Sequence, residues 1–129
     1  MPRDTSSPTP LVRTYRTQGR TVVELHGEID IATAFHIAPE LAAATDSEAP
    51  AVVIDLSPVE FFDCSGLRLL SLAHRRVEAR GGLLTVVCPH ALIQKMLRIV
   101  GFTEAFLIAV TLDEALGGCT PVSGALEPG

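Results

Sequence analysis

The chain has 129 residues, of which 47% are hydrophobic and 19% are charged, and its formal net charge at pH 7 is −5. That length fits one domain, which can bury roughly two-thirds of the surface of its unfolded chain. A negatively charged chain with no clustered basic face argues against direct binding to nucleic acid. No apolar run reaches the roughly 18 residues of a membrane span, and the first residues lack the apolar segment of a signal peptide, so we expect neither.

Two short β-prone runs open the predicted fold, Leu11 to Arg16 and Thr21 to Leu25. Residues 17–20, with the sequence Thr-Gln-Gly-Arg, are typical of a hairpin turn between two such strands. Residues 26–30 carry several charged side chains, and we interpret them as a loop.

A helix is predicted over residues 33–44, with Thr33 as its N-cap. Its apolar stripe consists of Phe35, Ile37, Leu41 and Ala44. Pro39 lacks an N–H group and would clash with the carbonyl of Phe35 in a helix. We therefore expect either a kink at Pro39 or a helix that begins near it.

The rest of the chain predicts strands that alternate with helices. Residues 51–56 form a continuous β-prone run, as in a strand that is covered on both faces. A loop then leads to a helix over residues 65–80, which the glycine pair at 81–82 ends. Further elements are a strand at 83–88, a helix at 89–100, a strand at 106–110 and a capping box that begins at Thr111.

This alternation predicts an α/β domain over residues 11–116. We expect a mixed, mostly parallel sheet of about five strands, opened by a β-hairpin and packed with about four helices. Residues 1–10 and 117–129 are rich in Pro, Gly, Ser and Thr and predict flexible tails.

Cysteine usage indicates a reducing compartment. The three cysteines, Cys64, Cys88 and Cys119, are odd in number and far apart, and none belongs to a C-x-x-C pair. This spacing disfavours a disulfide framework and a zinc site. We therefore expect a cytoplasmic protein.

The helix predicted to begin at Ser65 has two apolar stripes, and the second stripe places Leu69 and Leu72 beside Ser65. If the first stripe faces the sheet, Leu69 and Leu72 are exposed and framed by Arg68 and Arg76, which would suit a protein interface. The alternative is that both stripes are buried. The pattern favours the two equally.

Ser65 itself supports two interpretations. Serine is a favoured N-cap, and capping contributes about 1 kcal/mol to stability. A hydroxyl at this place can also accept a phosphoryl group, which would meet the positive end of the helix dipole and add negative charge beside Asp63. Asp63 can accept bonds from early helix N–H groups, and Gly66 removes a side chain where a partner could approach.

An enzyme that uses Cys64 or Ser65 as a nucleophile is a third alternative. A phosphate-binding cysteine loop usually needs an arginine six positions on, where this chain has Leu70. No histidine is near in sequence, and the glycine-rich nucleotide loops and the H-E-x-x-H metal motif are absent. We therefore expect no enzymatic activity and no cofactor.

Five short motifs fall in order along the chain, and together they resemble the STAS-domain anti-sigma factor antagonists, also called anti-anti-sigma factors. The resemblance covers about residues 11–116, essentially the whole predicted domain. The motifs are Gly27-Glu28-Ile29-Asp30, Val53-Ile54-Asp55-Leu56-Ser57, Phe62-Asp63-Cys64-Ser65-Gly66-Leu67, Gly81-Gly82 and Gly101-Phe102.

The resemblance implies a STAS fold and a regulator that is not an enzyme. Unphosphorylated members bind an anti-sigma factor that is also a serine kinase, which frees the sigma factor. The kinase then phosphorylates the serine directly before Gly-Leu, here Ser65, so that the antagonist dissociates, and a serine phosphatase resets it. The preceding position is often Ser in the family, whereas here it is Cys64.

We expect a partner-binding surface around Ser65 that is built partly of Leu69 and Leu72. The residues assigned to it are Asp30, Thr33, Asp63, Cys64, Gly66, Arg68, Leu69, Leu72 and Arg76. An alternative within the same family is a docking subunit of a lipid-transport ABC system or a scaffold of a stress-signalling complex.

Overall fold

Strands and helices alternate along residues 11–117, the part of the chain that this computed structural model describes. The predicted tails lie outside the described residues, except for Gly117. The elements are β1 (Val12–Thr17), β2 (Arg20–Leu25), β3 (Gly27–Ile29), α1 (Ile31–Ala44), β4 (Ala51–Asp55), β5 (Val59–Phe62), α2 (Cys64–Ala79), β6 (Leu83–Val87), α3 (Ala91–Ile99), β7 (Leu107–Ala109) and α4 (Leu112–Ala115), with a short 3-10 turn at Phe102–Glu104.

The main sheet has five strands in the order β1-β2-β4-β6-β7. Strand β1 is antiparallel to β2, whereas β2, β4, β6 and β7 run parallel to one another. The expected fold class, a mixed and mostly parallel sheet opened by a hairpin, is confirmed. The hairpin turn consists of Gln18 and Gly19, both with positive φ (52° and 77°), which suits the twist of the two strands.

Both predicted loops, at residues 26–30 and 57–64, contain a strand, which corrects the sequence interpretation. Strands β3 and β5 pair in parallel as a separate two-stranded ribbon. The pairing begins where the N–H of Gly27 donates to the carbonyl of Pro58 at 3.3 Å. Each strand is too short to show an apolar period in the sequence. Only their pairing with each other identifies them as strands.

Alternate residues of the central strands supply two apolar surfaces. One surface packs against α1, α2 and α3 and includes Val23, Ile54 and Val86. The opposite surface is a row across the sheet formed by Val22, Val53, Val87 and Ala109, against which Tyr15 and residues of α4 pack. The central strand β4 is therefore covered on both faces, as its sequence predicts. None of the helices within residues 11–117 is long and apolar enough to cross a membrane.

Helix α1 begins at Ile31 because Asp30, not Thr33, is its N-cap. The Asp30 carboxylate accepts from the N–H of Thr33 at 3.0 Å, and the N–H of Asp30 donates to the Thr33 hydroxyl at 2.9 Å. The helix runs uninterrupted through the exposed Pro39, so it does not begin there.

Phe35 does not join the core stripe of α1, which corrects a second expectation. Ile37 and Leu41 are fully buried, whereas the side chain of Phe35 is 77% exposed. Phe35 precedes Ile37 by two positions, which is about 200° around a helix. Ile31 lies one turn before Phe35 and is 69% exposed, so the two share an outward stripe.

Arg76 holds α2 against the C-terminal end of α1. Its guanidinium donates to the hydroxyl of Thr45 at 2.9 Å and to the carbonyl of Ala42 at 3.2 Å. Thr45 is fully buried, and its hydroxyl donates to the carbonyl of Leu41. Arg76 was predicted to frame the surface beside Ser65, but it lies three turns away along α2 and is used in a contact within the protein.

Replacing Arg76 by methionine should lower the free energy of unfolding by about 1–3 kcal/mol, because the buried Thr45 hydroxyl loses a charged donor. Methionine keeps most of the apolar stem, so lost packing contributes little. Urea unfolding monitored by circular dichroism measures the change. The matched control is Arg75→Met, which alters an exposed neighbour on the same helix. Equal stability of the two variants would contradict a stabilising role for the contact of Arg76 with Thr45 and Ala42.

Candidate functional site

The β3–β5 ribbon places the starts of α1 and α2 side by side. Ile29 is in register with Phe62 across the ribbon, and each is followed by an aspartate that caps the next helix. The N–H of Asp63 also donates to the carbonyl of Ile29 at 3.3 Å. The predicted site residues Asp30 and Asp63, which are distant in sequence, are therefore brought together.

Asp63 caps α2, and this corrects the interpretation of Ser65 as the cap. The Asp63 carboxylate accepts from the N–H of Ser65 at 2.8 Å. Ser65 is the second residue of the helix and is half-buried. Within residues 11–117 its hydroxyl has no hydrogen-bond partner, so it is available for chemistry.

The first turn of α2 offers fewer vacant donors than the sequence suggested. Besides the N–H of Ser65, those of Gly66 and Leu67 donate to the carbonyl of Asp63 at 3.0 and 3.3 Å. A phosphate on Ser65 would therefore compete with Asp63 for these groups, and its charge would lie near that carboxylate.

An apolar groove of about 260 Å³ lies between the first halves of α1 and α2. Ser65 is part of its wall, and Arg68 is its one charged lining residue. The outward stripe of α1, Ile31 and Phe35, supplies part of the opposite wall. The other lining residues are Ala34, Ala38, Leu69 and Leu72.

Leu69 and Leu72 differ in exposure, so neither packing alternative for α2 holds completely. Leu69 is only 5% exposed and belongs to the hydrophobic core, so it can contribute little to an exposed surface. Leu72 is half-buried, while Arg68 and Cys64 are exposed. Sequence reasoning missed Ile31 and Phe35, although their spacing of four residues, out of phase with Ile37, could have indicated them.

Gly66 has a structural reason that the sequence did not reveal. It is buried, and a Cβ atom at this position would overlap the ring of Phe62 on β5. The glycine therefore allows the first turn of α2 to lie directly against the ribbon. This corrects the expectation that Gly66 leaves space for a partner.

Replacing Gly66 by alanine should destabilise the protein by about 1–3 kcal/mol, because the core residue Phe62 must move. The gain in helix propensity, about 1 kcal/mol at most, offsets only part of this effect. The double variant Gly66→Ala/Phe62→Leu should lose less stability than the sum of the losses of the two single variants. Additive losses in urea unfolding would show that the ring and position 66 do not compete for space.

Hydrogen bonds hold the pKa of Asp30 below its ordinary value of 3.8. The N–H of Thr33 lowers this pKa most, and the Thr33 hydroxyl and the N–H of Ala32 lower it further. Desolvation raises the pKa, but by less than the bond from the N–H of Thr33 lowers it. The ionised cap is thus favoured in the folded state. Asp30 and Thr33 also border a neighbouring depression of about 490 Å³ that Glu28 and Glu60 make acidic.

Asp30→Asn should lower stability at pH 7 but not in strong acid. Because the folded-state pKa of Asp30 lies below 3.8, its contribution is complete above that pH and is lost as the pH falls through the folded-state pKa. The difference in the free energy of unfolding between wild type and Asp30→Asn should therefore shrink below pH 3.8. Urea unfolding of both proteins across this range measures it, and a constant difference would contradict the assignment.

Three of the four histidines contact residues that do not line the groove, and the fourth, His36, is exposed on α1. His26 contacts Glu24 at 2.7 Å, His74 packs against Phe106, and His90 contacts the carbonyl of Leu56 at 3.0 Å. No histidine lines the groove. Residues 11–117 also contain no cluster of histidine, cysteine and acidic side chains that could hold a metal ion.

The sequence profile of the STAS domain matches residues 12–115. The chain belongs to the STAS domain family. Its sequence is 29% identical over 100 residues to the anti-sigma-F factor antagonist RsfB of Mycobacterium tuberculosis, covering 78% of this chain and 81% of RsfB.

Solved structures share this STAS fold. An anti-sigma factor antagonist from Mycobacterium paratuberculosis superposes with a TM-score of 0.67 at 29% identity, covering 83% of this chain and 91% of that one. The phosphorylated form of Bacillus SpoIIAA, a cell fate determinant, superposes with a TM-score of 0.66 at 23% identity, covering 83% and 97%. At that identity, SpoIIAA supports the fold alone.

Proposed function

We propose that this STAS domain is an anti-sigma factor antagonist whose unphosphorylated form binds an anti-sigma factor and so frees a sigma factor in the cytoplasm. Family membership and the names of the two mycobacterial relatives support the proposal. The observation that carries it is the Ser65 hydroxyl, which is unbonded within residues 11–117 and lies on the wall of an apolar groove.

Ser65 is the proposed phosphoacceptor, and the anti-sigma factor is the proposed serine kinase. A protein kinase supplies the ATP, the metal ions and the base for phosphoryl transfer, so the acceptor needs only a positioned hydroxyl. The bond from the N–H of Ser65 to Asp63 holds the first turn of α2 and thus the backbone that carries this hydroxyl. No histidine lines the groove beside Ser65, which favours a binding role over an enzymatic one.

Phosphorylation would turn off binding through charge. A phosphoserine carries close to two negative charges at neutral pH. On Ser65 these charges would lie beside Asp63 and at an apolar groove, where an incoming partner would remove water from them at high energetic cost. A serine phosphatase would restore the neutral hydroxyl and with it the binding form.

Ser65→Ala should bind the anti-sigma factor with near wild-type affinity but accept no phosphate, so it stays bound in the presence of ATP. Ser65→Asp should bind at least about tenfold more weakly, because its charge must be desolvated. Isothermal titration calorimetry measures the affinities, and mass spectrometry maps the phosphate after incubation with each anti-sigma factor kinase of the source genome.

Ser47→Asp is the matched control, since Ser47 is exposed, follows the other end of α1 and does not line the groove. It adds the same charge and should bind like wild type. Equal affinity of Ser65→Asp and wild type would contradict the proposed switch. Phosphate on another residue, or none with any of these kinases, would contradict the assignment of Ser65.

A further inference from the structure

We infer that Ile31 and Phe35 are the anchor residues of the partner interface, and that the groove beside them receives an apolar segment bearing a carboxylate from the kinase that phosphorylates Ser65. This inference rests on the proposed function and specifies the chemistry of its partner. It adds the outer stripe of α1, which contributes nothing to the core, to the surface around Ser65.

The outward stripe is separate from the residues that hold α1 on the sheet. Ile37 and Leu41 are fully buried, whereas Ile31 and Phe35 are 69% and 77% exposed. Large exposed apolar side chains next to a groove are typical of protein interfaces, where aromatic residues supply much of the affinity.

The groove is continuous with the proposed phosphoacceptor. Its walls and floor are apolar except for Ser65 and Arg68, and Arg68 is the one charged residue among them. An apolar segment with one acidic side chain complements this surface, because the carboxylate can pair with Arg68 while apolar groups contact Phe35 and Ile31.

This arrangement also gives phosphorylation a second effect. Ser65 and Arg68 are three residues apart on α2, so their side chains lie on the same side of the helix. A phosphate on Ser65 can therefore pair with Arg68 and compete with the carboxylate of the partner. The same modification would place charge at the groove that the apolar segment must enter.

Helix α3 provides matched controls. Leu92 and Ile99 are 72% and 73% exposed, as apolar and as accessible as Ile31 and Phe35, but they do not line this groove. Removing their side chains tests whether any exposed apolar group would give the same result.

The experiment measures the affinity of each variant for the kinase that phosphorylates Ser65 of the wild-type chain. Phe35→Ala should weaken binding by about 30-fold or more, the range of interface hot spots, and Ile31→Ala by less. Leu92→Ala and Ile99→Ala should bind like wild type. All four variants should have melting temperatures close to that of wild type in thermal unfolding, since each removed side chain is largely exposed.

The charge of the partner segment is tested with Arg68→Glu and Arg75→Glu. Both variants make the same change on exposed arginines of α2, but only Arg68 lines the groove. Arg68→Glu should weaken binding about tenfold or more relative to Arg75→Glu. The difference in affinity between the two variants should become smaller at high salt. Equal effects of the two variants would overturn the assignment of a carboxylate.

Phosphorylation kinetics separate this inference from the proposed function. In Phe35→Ala the Ser65 hydroxyl is intact, so KM should rise while kcat stays close to wild type. Wild-type affinity and KM for Phe35→Ala, with Ser65 still phosphorylated, would overturn the inference and leave the proposed function standing. Loss of a dimer on Phe35→Ala in sedimentation, with unchanged kinase affinity, would instead assign the stripe to self-association. If no kinase phosphorylates the wild-type chain, the proposed function and this inference are both wrong.

Discussion

The pairing of β3 with β5 is the constraint on which the site depends. The ribbon lies outside the main sheet, and each of its strands leads directly into an aspartate that caps a helix. Because the strands are parallel and in register at their ends, the starts of α1 and α2 have to be neighbours. The ribbon also sets how closely α2 approaches, since Phe62 occupies the space that a side chain at Gly66 would need.

Capping and chemistry are divided between Asp63 and Ser65, two positions apart at the start of α2. Asp63 binds the N–H of Ser65, so the serine hydroxyl is not consumed in holding the helix. A serine that served as its own cap would lose a structural bond on phosphorylation. With Asp63 as the cap, the serine hydroxyl makes no bond that holds the helix, so the proposed modification consumes no structural bond of that hydroxyl, which suits a reversible switch of binding.

Helix α1 presents two different surfaces, and stability depends on only one of them. Ile37 and Leu41 pack in the core, and the bonds from Arg76 hold the C-terminal end of the helix against α2. Ile31 and Phe35 remain exposed, although burying them would favour folding. Their position beside Ser65 is what connects the shape of this domain to the chemistry of its proposed partner.

The local sequence was sufficient for elements with strong local signals: the hairpin at Gln18 and Gly19, the buried strand β4 and the order of strands and helices that defines the fold class. It also singled out Ser65 through its neighbours. It did not reveal the ribbon, the use of Asp30 and Asp63 as caps, the burial of Leu69 or the role of Gly66. The ribbon arises from contacts between residues some 30 positions apart, as between Ile29 and Phe62, and it brings the two capping residues together and places Phe62 against Gly66. Periodicity reports which residues share a face, but only tertiary packing decides which of those faces is covered.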